Sequence, residues 1–405
     1  SSFKLIRPSE ALDGLENSTG GQVLRLESSE QPIPVKKQGK YNINRWALTG
    51  RDDLGINTKC YKIYDAFRKA KENKPEKEDW RELCFLWSSD FRTHITEKRW
   101  TSYLTRLDRF CEKWQCEEGN GLVKAGGKVI KPPYSAKTFK VQDDTRHLTI
   151  ETESVQCVLN KMKGLVMSAL RFKNIFPAPL IGTLPHGYYE DISLGADFYS
   201  GHTIIEMPGE HKITDLQVCE PEVTLRGTRL LSIRTELDTE GVTFKKEYDF
   251  DLFGDTVAIK LDIEIPNRTF ATIHPLNITF IPTSFQQGSL FYATHNGGQV
   301  PERFDMGSFE INHAQSLSIL VSAQQGLGAT EGLVIIGDEQ RQLMLYHEQG
   351  KSAMIPTIHF LPMNGGKYFL RLQYSAQEMD ETFRESAESV RIQCGLRISP
   401  ARYPL

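Results

Sequence analysis

The chain has 405 residues, with 49 basic and 52 acidic side chains and a formal net charge of -3. This near balance gives no basis for binding nucleic acid or an anionic membrane surface, and no apolar run is long enough to span a bilayer. Hydrophobic residues make up 39% of the chain and include 21 Phe, 14 Tyr and 5 Trp, enough for large cores in two or three domains.

Residues 1–120 are predicted to form a helical bundle after an irregular N-terminal connection. Residues 1–45 carry turn signals such as Gly20-Gly21, and the chain begins without Met, so we expect Ser1 to be the new end of a processed or truncated piece. Apolar residues then recur at helical spacing, with a break at Pro75. The two apolar stripes are Cys60, Ile63, Tyr64 and Phe67, then Trp100, Tyr103, Leu104, Leu107, Cys111 and Trp114.

Residues 121–137 are predicted to be a linker, because Gly126-Gly127 and Pro132-Pro133 interrupt both helix and strand patterns. From residue 138 to 405 the apolar period changes from 3.6 to 2, as in the run from Val257 to Ile265. Many such runs separated by turn signals indicate a large antiparallel β-sandwich. The predicted fold class is therefore α+β, a helical bundle followed by this sandwich.

The seven cysteines are scattered and odd in number, which argues against a disulfide framework and predicts a reducing, cytoplasmic location. Cys111 and Cys116 lack the second ligand pair of a zinc site, and neither an HExxH nor a phosphate-binding glycine motif is present. We therefore predict no metal and no cofactor. A metal set of His186, Glu190, Asp191 and His202 is a weaker alternative, because spacing alone is unspecific.

The first candidate site lies in Trp46–Thr58, where Thr49-Gly50 makes a turn before a helix start. Asp52 and Asp53 suit helix capping as well as ligand binding. Arg51 opposes the helix dipole at this position, so a polar ligand or a carboxylate partner is expected to explain it.

The second candidate site is Phe85–His94, which we expect to open an amphipathic helix. Aromatic rings such as Trp87 and Phe91 stack on sugar faces, and the side chains of Asp90 and His94 can bind hydroxyls. The alternative is an ordinary helix start, with Ser88, Ser89 or Asp90 as the N-cap and the aromatic rings in the core.

A polar and aromatic loop in the sandwich is the third candidate site. It runs through Leu184–Asp191 and then Asp197–His202, and offers His186, Tyr188, Glu190 and His202 as ligand-binding groups. Long loops on a rigid sandwich often carry binding, but a structural loop with self-satisfied polar groups is an equal alternative.

Ser88-Ser89-Asp90-Phe91, preceded by Cys84–Trp87 and followed by the Trp100–Trp114 stripe, resembles the last signature region of glycoside hydrolase family 57. Trp46–Thr58 similarly resembles the first helix after the barrel in the related family 38 α-mannosidases. Val155–Asn160, Gly164–Leu170 and Tyr368–Ala376 resemble strands of galactose-mutarotase-like sandwiches. In both hydrolase families the order is α/β barrel, helical bundle and β-sandwich, so the resemblance implies a mutarotase-like supersandwich here.

The resemblance implies that this chain is the post-barrel part of a carbohydrate-active enzyme acting on an oligo- or polysaccharide. Its partner would be an N-terminal catalytic barrel in the same gene product or a separate chain. Trp87, Asp90, Phe91 and His94 would complete a sugar subsite, and Arg51 and Asp52 would hold the barrel or the sugar. A docked barrel further implies an exposed aromatic patch at Trp46, Trp87 or Phe91.

This chain also departs from the family, because the barrel's nucleophile and acid have no counterpart in it, and Phe91 stands where Trp is common. The catalytic residues are therefore unknown, and hydrolysis and transglycosylation stay open. Two other functions remain: a stand-alone carbohydrate-binding or structural protein, and a polysaccharide lyase or epimerase that pairs Tyr188 or Tyr189 with His186 or His202.

We expect the chain alone to have no glycosidase activity, because a retaining reaction needs two carboxylates flanking the scissile bond. Incubation with α-glucans and aryl glycosides should release no product above the blank. Turnover that disappears on substitution of His186 or Tyr188 would instead favour the lyase or epimerase.

Overall fold

The computed structural model describes the chain from Ala47 to Ala401 with ten internal gaps. The described residues are 47–71, 74–91, 95–116, 126–190, 196–266, 271–295, 301–306, 327–328, 332–363, 367–379 and 389–401. The predicted N-terminal connection at 1–45 lies outside them.

Three α-helices form the predicted bundle: α1 (Asp53–Lys69), α2 (Lys77–Leu86) and α3 (Glu97–Lys113). Their apolar stripes face one another, as the spacing predicted, and bury Cys60, Ile63 and Phe67 of α1 against Trp100 and other residues of α3. None of the described helices combines the length and the apolar character that crossing a membrane requires.

The expectation that Phe85–His94 opens a helix is wrong. Phe85 and Leu86 end α2, and Ser89–Phe91 form a short 3-10 turn. Helix α3 begins later, where the hydroxyl of Thr96 accepts a hydrogen bond from the backbone N–H of Arg99 (3.4 Å). Thr96 therefore provides the cap that the sequence pattern assigned to Ser88, Ser89 or Asp90.

Within the described residues, twenty-two strands follow the helices, and every pairing between them is antiparallel. The first eleven are β1 (Lys128–Val129), β2 (Tyr134–Ser135), β3 (Phe139–Asp143), β4 (His147–Thr152), β5 (Val155–Asn160), β6 (Val166–Phe172), β7 (Ile181–Gly182), β8 (His202–Glu206), β9 (Ile213–Thr214), β10 (Glu222–Arg226) and β11 (Leu230–Thr239). The others are β12 (Val242–Asp251), β13 (Val257–Ile265), β14 (Thr272–Thr279), β15 (Phe291–Thr294), β16 (Glu302–Asp305), β17 (Leu327–Gly328), β18 (Leu333–Gly337), β19 (Gln342–His347), β20 (Ile355–Pro362), β21 (Tyr368–Ser375) and β22 (Val390–Pro400).

The strands form three sheets around one hydrophobic core. The ten-stranded sheet has the order β1-β10-β11-β12-β13-β22-β19-β18-β15-β16, and two six-stranded sheets have the orders β17-β20-β21-β14-β8-β9 and β2-β3-β4-β5-β6-β7. Ile259 of β13, Ile278 of β14 and Leu159 of β5 all belong to that core. The predicted fold class, helices followed by a large antiparallel β-sandwich, is therefore confirmed.

The helices and the sandwich are in direct contact. The backbone N–H of Glu378, just after β21, donates to the carbonyl of Leu48 (3.1 Å), and the N–H of Ala353 donates to the hydroxyl of Thr58 (3.0 Å). Within the predicted linker, β1 pairs with β10 and β2 pairs with β3. Residues from Lys128 onward therefore already pair with the sandwich.

A fully buried ion pair joins the three sheets. The Nζ of Lys246, on β12, lies 2.6 Å from Oδ2 of Asp215 and donates to the carbonyls of Gly164 and Gly201, each at 2.7 Å. The other oxygen of Asp215 accepts the backbone N–H of Thr203 (3.0 Å). Both charged side chains are inaccessible to solvent, so each is the main compensation for the other's charge.

We expect Lys246→Met to lower the free energy of unfolding by about 3–5 kcal/mol, because it leaves the Asp215 carboxylate buried without a countercharge. Chemical denaturation would measure the change. The double variant Lys246→Met/Asp215→Asn should recover part of the loss. Lys59→Met is the matched control: it breaks an exposed pair with Asp108 and should cost less than about 1 kcal/mol. Equal losses for Lys246→Met and Lys59→Met would contradict the expectation.

Candidate functional site

The predicted residues Arg51 and Asp52 have partners within the helices. Both terminal nitrogens of the Arg51 guanidinium donate to the carboxylate of Glu97 (2.5 and 2.9 Å), and the guanidinium lies 5.0 Å from the ring centre of Trp100. Asp52 is the N-cap of α1 and accepts the N–H of Gly55 (3.2 Å). A carboxylate partner thus explains Arg51, and capping explains Asp52.

Trp87 and Phe91 pack in the helical core. The indole N–H of Trp87 donates to Oδ1 of Asn57 (3.0 Å). The ring of Phe91 is buried and stacks on Tyr103, with ring centres 4.3 Å apart and planes within 9°. Asp90 is exposed on the 3-10 turn, while His94 and Trp46 lie outside the described residues. Of the described residues in this group, Asp90 is exposed, Trp87 is half-buried and Phe91 is buried.

The loop residues of the third candidate site do not converge. His186 and Glu190 are exposed, and the backbone N–H of His186 donates to Oδ1 of Asp197 (2.6 Å). Tyr188 is half-buried, and burial raises the pKa of its hydroxyl. His202 is buried at the start of β8, where its ring contacts that of Tyr199 (5.7 Å between ring centres), while Asp191 lies outside the described residues.

The structure instead assembles polar side chains on the outer face of the six-stranded sheet that contains β8, β14, β20 and β21. The strand register places His202 beside Asn277, Asn277 beside Gln373, and His359 beside Arg371. Alternate residues of the same strands, such as Ile278, Leu372 and Ile358, point into the core. We refer to this group as the polar face: His202, His274, His359, Arg371, Gln373 and Glu378.

A chain of hydrogen bonds runs across the polar face. The amide of Gln373 bridges two imidazoles, with Nε2 of His359 at 2.8 Å and Nδ1 of His274 at 2.8 Å. The other ring nitrogen of His274 lies 3.2 Å from Oε1 of Glu378, which also accepts the hydroxyl of Ser375 (3.0 Å). With the Gln373 amide donating to Nδ1, the proton of His274 is on Nε2 and faces the carboxylate.

Arg371 brings a positive charge to the polar face, and no carboxylate of the described residues forms an ion pair with it. Among the described residues, its one hydrogen-bonding contact is with Nε2 of His202, at 3.5 Å. Burial lowers the pKa of Arg371 to about 10, so the guanidinium stays charged near neutral pH. Burial, followed by the nearby charges of Arg371 and Lys246, lowers the pKa of His202 well below its usual range and keeps that imidazole neutral.

Several buried atoms here retain unused hydrogen-bonding capacity. Asn277 Oδ1, Arg371 Nε and Glu378 Oε2 make no hydrogen bond in the described part of the chain. Buried polar atoms are nearly always paired, so unpaired ones around the polar face make it a candidate binding site. A histidine held by a carboxylate can accept and return a proton, and the charged guanidinium can bind an anionic group. Within the described ranges, no group of three or more His, Cys, Asp or Glu side chains is arranged to hold a metal ion.

Of the polar face, only His202 was predicted from the sequence. Arg371, Gln373 and Ser375 alternate with core residues along β21, and this pattern marks an ordinary solvent-facing side as readily as a site. The informative signal was histidine at strand positions, because His274 and His359 each lie inside a strand and directly follow an apolar residue. Their proximity depends on a register that separate strands do not reveal.

No known protein family matches the chain, and no curated protein sequence matches it. Among solved structures, it is similar to 4-α-glucanotransferase from Thermococcus litoralis, with 11% identity, a TM-score of 0.34, and coverage of 86% of this chain and 50% of that one. It is also similar to a galactose mutarotase-like protein from Clostridium acetobutylicum, with 11% identity, a TM-score of 0.36, and coverage of 65% and 98%.

A third similar structure is a TPR-domain protein from Parabacteroides distasonis, with 9% identity, a TM-score of 0.35, and coverage of 64% of this chain and 47% of that one. The chain thus spans about half the length of this protein and of the glucanotransferase. At these identities and TM-scores, the similarities assign neither a family nor an activity.

We expect the neutral, buried His202 to make the free energy of unfolding fall as the pH falls below about 6.5. The unfolded chain then binds a proton at His202 that the folded chain does not bind. Denaturation at pH 7, 6 and 5 should therefore show a steeper loss for the native chain than for His202→Gln, by up to about 1.4 kcal/mol per pH unit. His186→Gln, which replaces an exposed imidazole, is the matched control. Parallel pH profiles for the native chain and His202→Gln would contradict this assignment.

Proposed function

We propose that the chain is the helical and β-sandwich part of a carbohydrate-active protein, and that the polar face binds its saccharide. One observation carries the proposal: three imidazoles, a guanidinium, an amide and a carboxylate converge on one side of a sheet with buried hydrogen-bonding atoms to spare. Saccharide hydroxyls both donate and accept hydrogen bonds, so they suit such a mixed set of groups.

The uncompensated charge of Arg371 narrows the ligand to an anionic saccharide, such as one carrying a carboxylate or a phosphate. A guanidinium pairs with either group through two parallel hydrogen bonds. Arg371 and His359 are only partly buried, which gives a ligand a route to the face. The neighbouring imidazoles and Gln373 would then contact the hydroxyls.

The resemblance to family 57 adds a catalytic barrel that would meet the helices. Asp90 is exposed there and precedes Phe91, whose ring contacts the exposed ring of Phe85, so this carboxylate is available to a sugar or to a docked domain. The polar face lies close to the same junction, because the backbone of Glu378 is hydrogen-bonded to Leu48. A saccharide could thus contact both parts of the chain.

The second candidate function is proton transfer within the sandwich, as in an epimerase or a lyase. The His274–Glu378 contact favours it, because a carboxylate that orients an imidazole supports general acid–base catalysis. Tyr189 is not free to pair with a histidine, since its hydroxyl donates to the carbonyl of Tyr368 (2.8 Å). Epimerisation or eliminative cleavage of an anionic saccharide that stops in His274→Gln would establish this function.

We expect Arg371→Gln to weaken binding of an anionic oligosaccharide at least about tenfold, a loss of about 1.4 kcal/mol, because the charged hydrogen bonds disappear. Titration calorimetry with oligogalacturonate and with a neutral glucan of equal length would measure it. Binding of the neutral glucan should change less.

The melting temperature of Arg371→Gln separates a ligand-binding arginine from a structural one. Removal of an unpaired, mostly buried charge should leave the melting temperature unchanged or raise it. His186→Gln, on the exposed loop, is the matched control and should bind like the native chain. Unchanged affinity together with a lower melting temperature would leave Arg371 a structural residue and remove the support for the proposal.

A further inference from the structure

The C-terminus of α3 brings two cysteines together. After Lys113 and the cap residue Trp114, Gln115 takes a left-handed conformation with φ of 51°. The N–H of Gln115 donates to the carbonyl of Glu112 (3.0 Å), and the N–H of Cys116 donates to the carbonyl of Cys111 (3.0 Å). These two bonds define a Schellman motif, in which the side chains that occupy the positions of Cys111 and Cys116 contact each other.

The two thiols contact each other, as is common in this motif. Both are half-buried free cysteines beside the helical core, and their side chains are hydrogen-bonded to each other. The hydrogen bond from Cys116 lowers the pKa of Cys111, and the charges of Lys62 and Lys59 act in the same direction. The same hydrogen bond, together with burial, raises the pKa of Cys116. These directions favour Cys111 as the attacking thiolate and Cys116 as the thiol that displaces the second leaving group.

We propose that Cys111 and Cys116 form a dithiol site that reacts with low-molecular-weight disulfides such as oxidised glutathione and closes into a disulfide across the end of α3. The site is independent of the polar face and of the proposed saccharide function. It differs from the other cysteines because its two thiols are already in contact, whereas Cys84 is an exposed thiol on α2.

The reaction is two thiol–disulfide exchanges. The Cys111 thiolate attacks one sulfur of oxidised glutathione, and the first glutathione leaves as a thiolate while a mixed disulfide forms on Cys111. Cys116 then loses its proton to solvent and attacks the Cys111 sulfur, which expels the second glutathione as a thiolate. Both cysteines are oxidised, and one disulfide is reduced to two thiols.

Trypsin separates the two cysteines, because it cleaves after Lys113 and releases residues 110–113 and 114–124 as different peptides. We therefore expect native chain treated with oxidised glutathione, alkylated and digested, to yield these two peptides joined, with a mass two hydrogens below their sum. Reduction before alkylation should restore both alkylated peptides. Recovery of both peptides as alkylated thiols, under conditions that glutathionylate Cys84, would overturn the proposal.

Two serine variants test the order of attack. Cys116→Ser should stop at a stable mixed disulfide on Cys111, because nothing displaces the second glutathione. Cys111→Ser should leave Cys116 reduced at the same oxidant concentration. Cys60→Ser is the control for the buried thiol of α1 and should still give the joined peptides. A link between Cys60 and Cys111 in the native chain would also refute the assignment.

Discussion

The buried charge of Lys246 is the constraint on which the arrangement of the sheets depends. Its ammonium holds a carbonyl after β5, a carbonyl at the start of β8 and the Asp215 carboxylate that follows β9. Gly201, which supplies the second carbonyl, has a φ of +81°, and a Cβ there would lie 2.5 Å from the hydroxyl of Tyr248. The strand that begins with His202 is thus positioned by a contact that tolerates little displacement.

The polar face follows from this positioning and from one irregularity in β14. His274 and Asn277 are three residues apart, yet neither belongs to the core, because the pairing of β14 with β8 shifts register between them. A regular strand would turn residues at odd separations to opposite sides. The shift between His274 and Asn277 therefore lets both polar side chains share the outer face with Gln373 and Arg371.

Side-chain periodicity predicted the bundle and the sandwich because burial on one side of a helix or strand produces a regular spacing of apolar residues over a short stretch of sequence. For Asp52, the residue type at a helix start left capping and ligand binding open, and the structure shows the cap. Periodicity failed where a partner is distant: Arg51 pairs with a residue 46 positions away, and the indole of Trp87 with one 30 positions away.

The start of α3 was misplaced because several residues before it, including Ser88, Asp90 and Thr96, can all cap a helix, and packing decides between them. The polar face was missed because its strands come from three separate parts of the chain: β8, β14 and the consecutive strands β20 and β21.

The hydrogen bond between Glu378 and Leu48 allows binding at the sandwich and binding at the helices to be coupled energetically. The carboxylate of Glu378 contacts His274, and its backbone contacts the segment that leads into α1. A ligand that binds the Glu378 carboxylate and a domain that docks on the helices would therefore both affect Glu378, one through its side chain and the other through its backbone contact. Any cooperativity between them is reciprocal: the factor by which one changes the affinity of the other is equal in both directions.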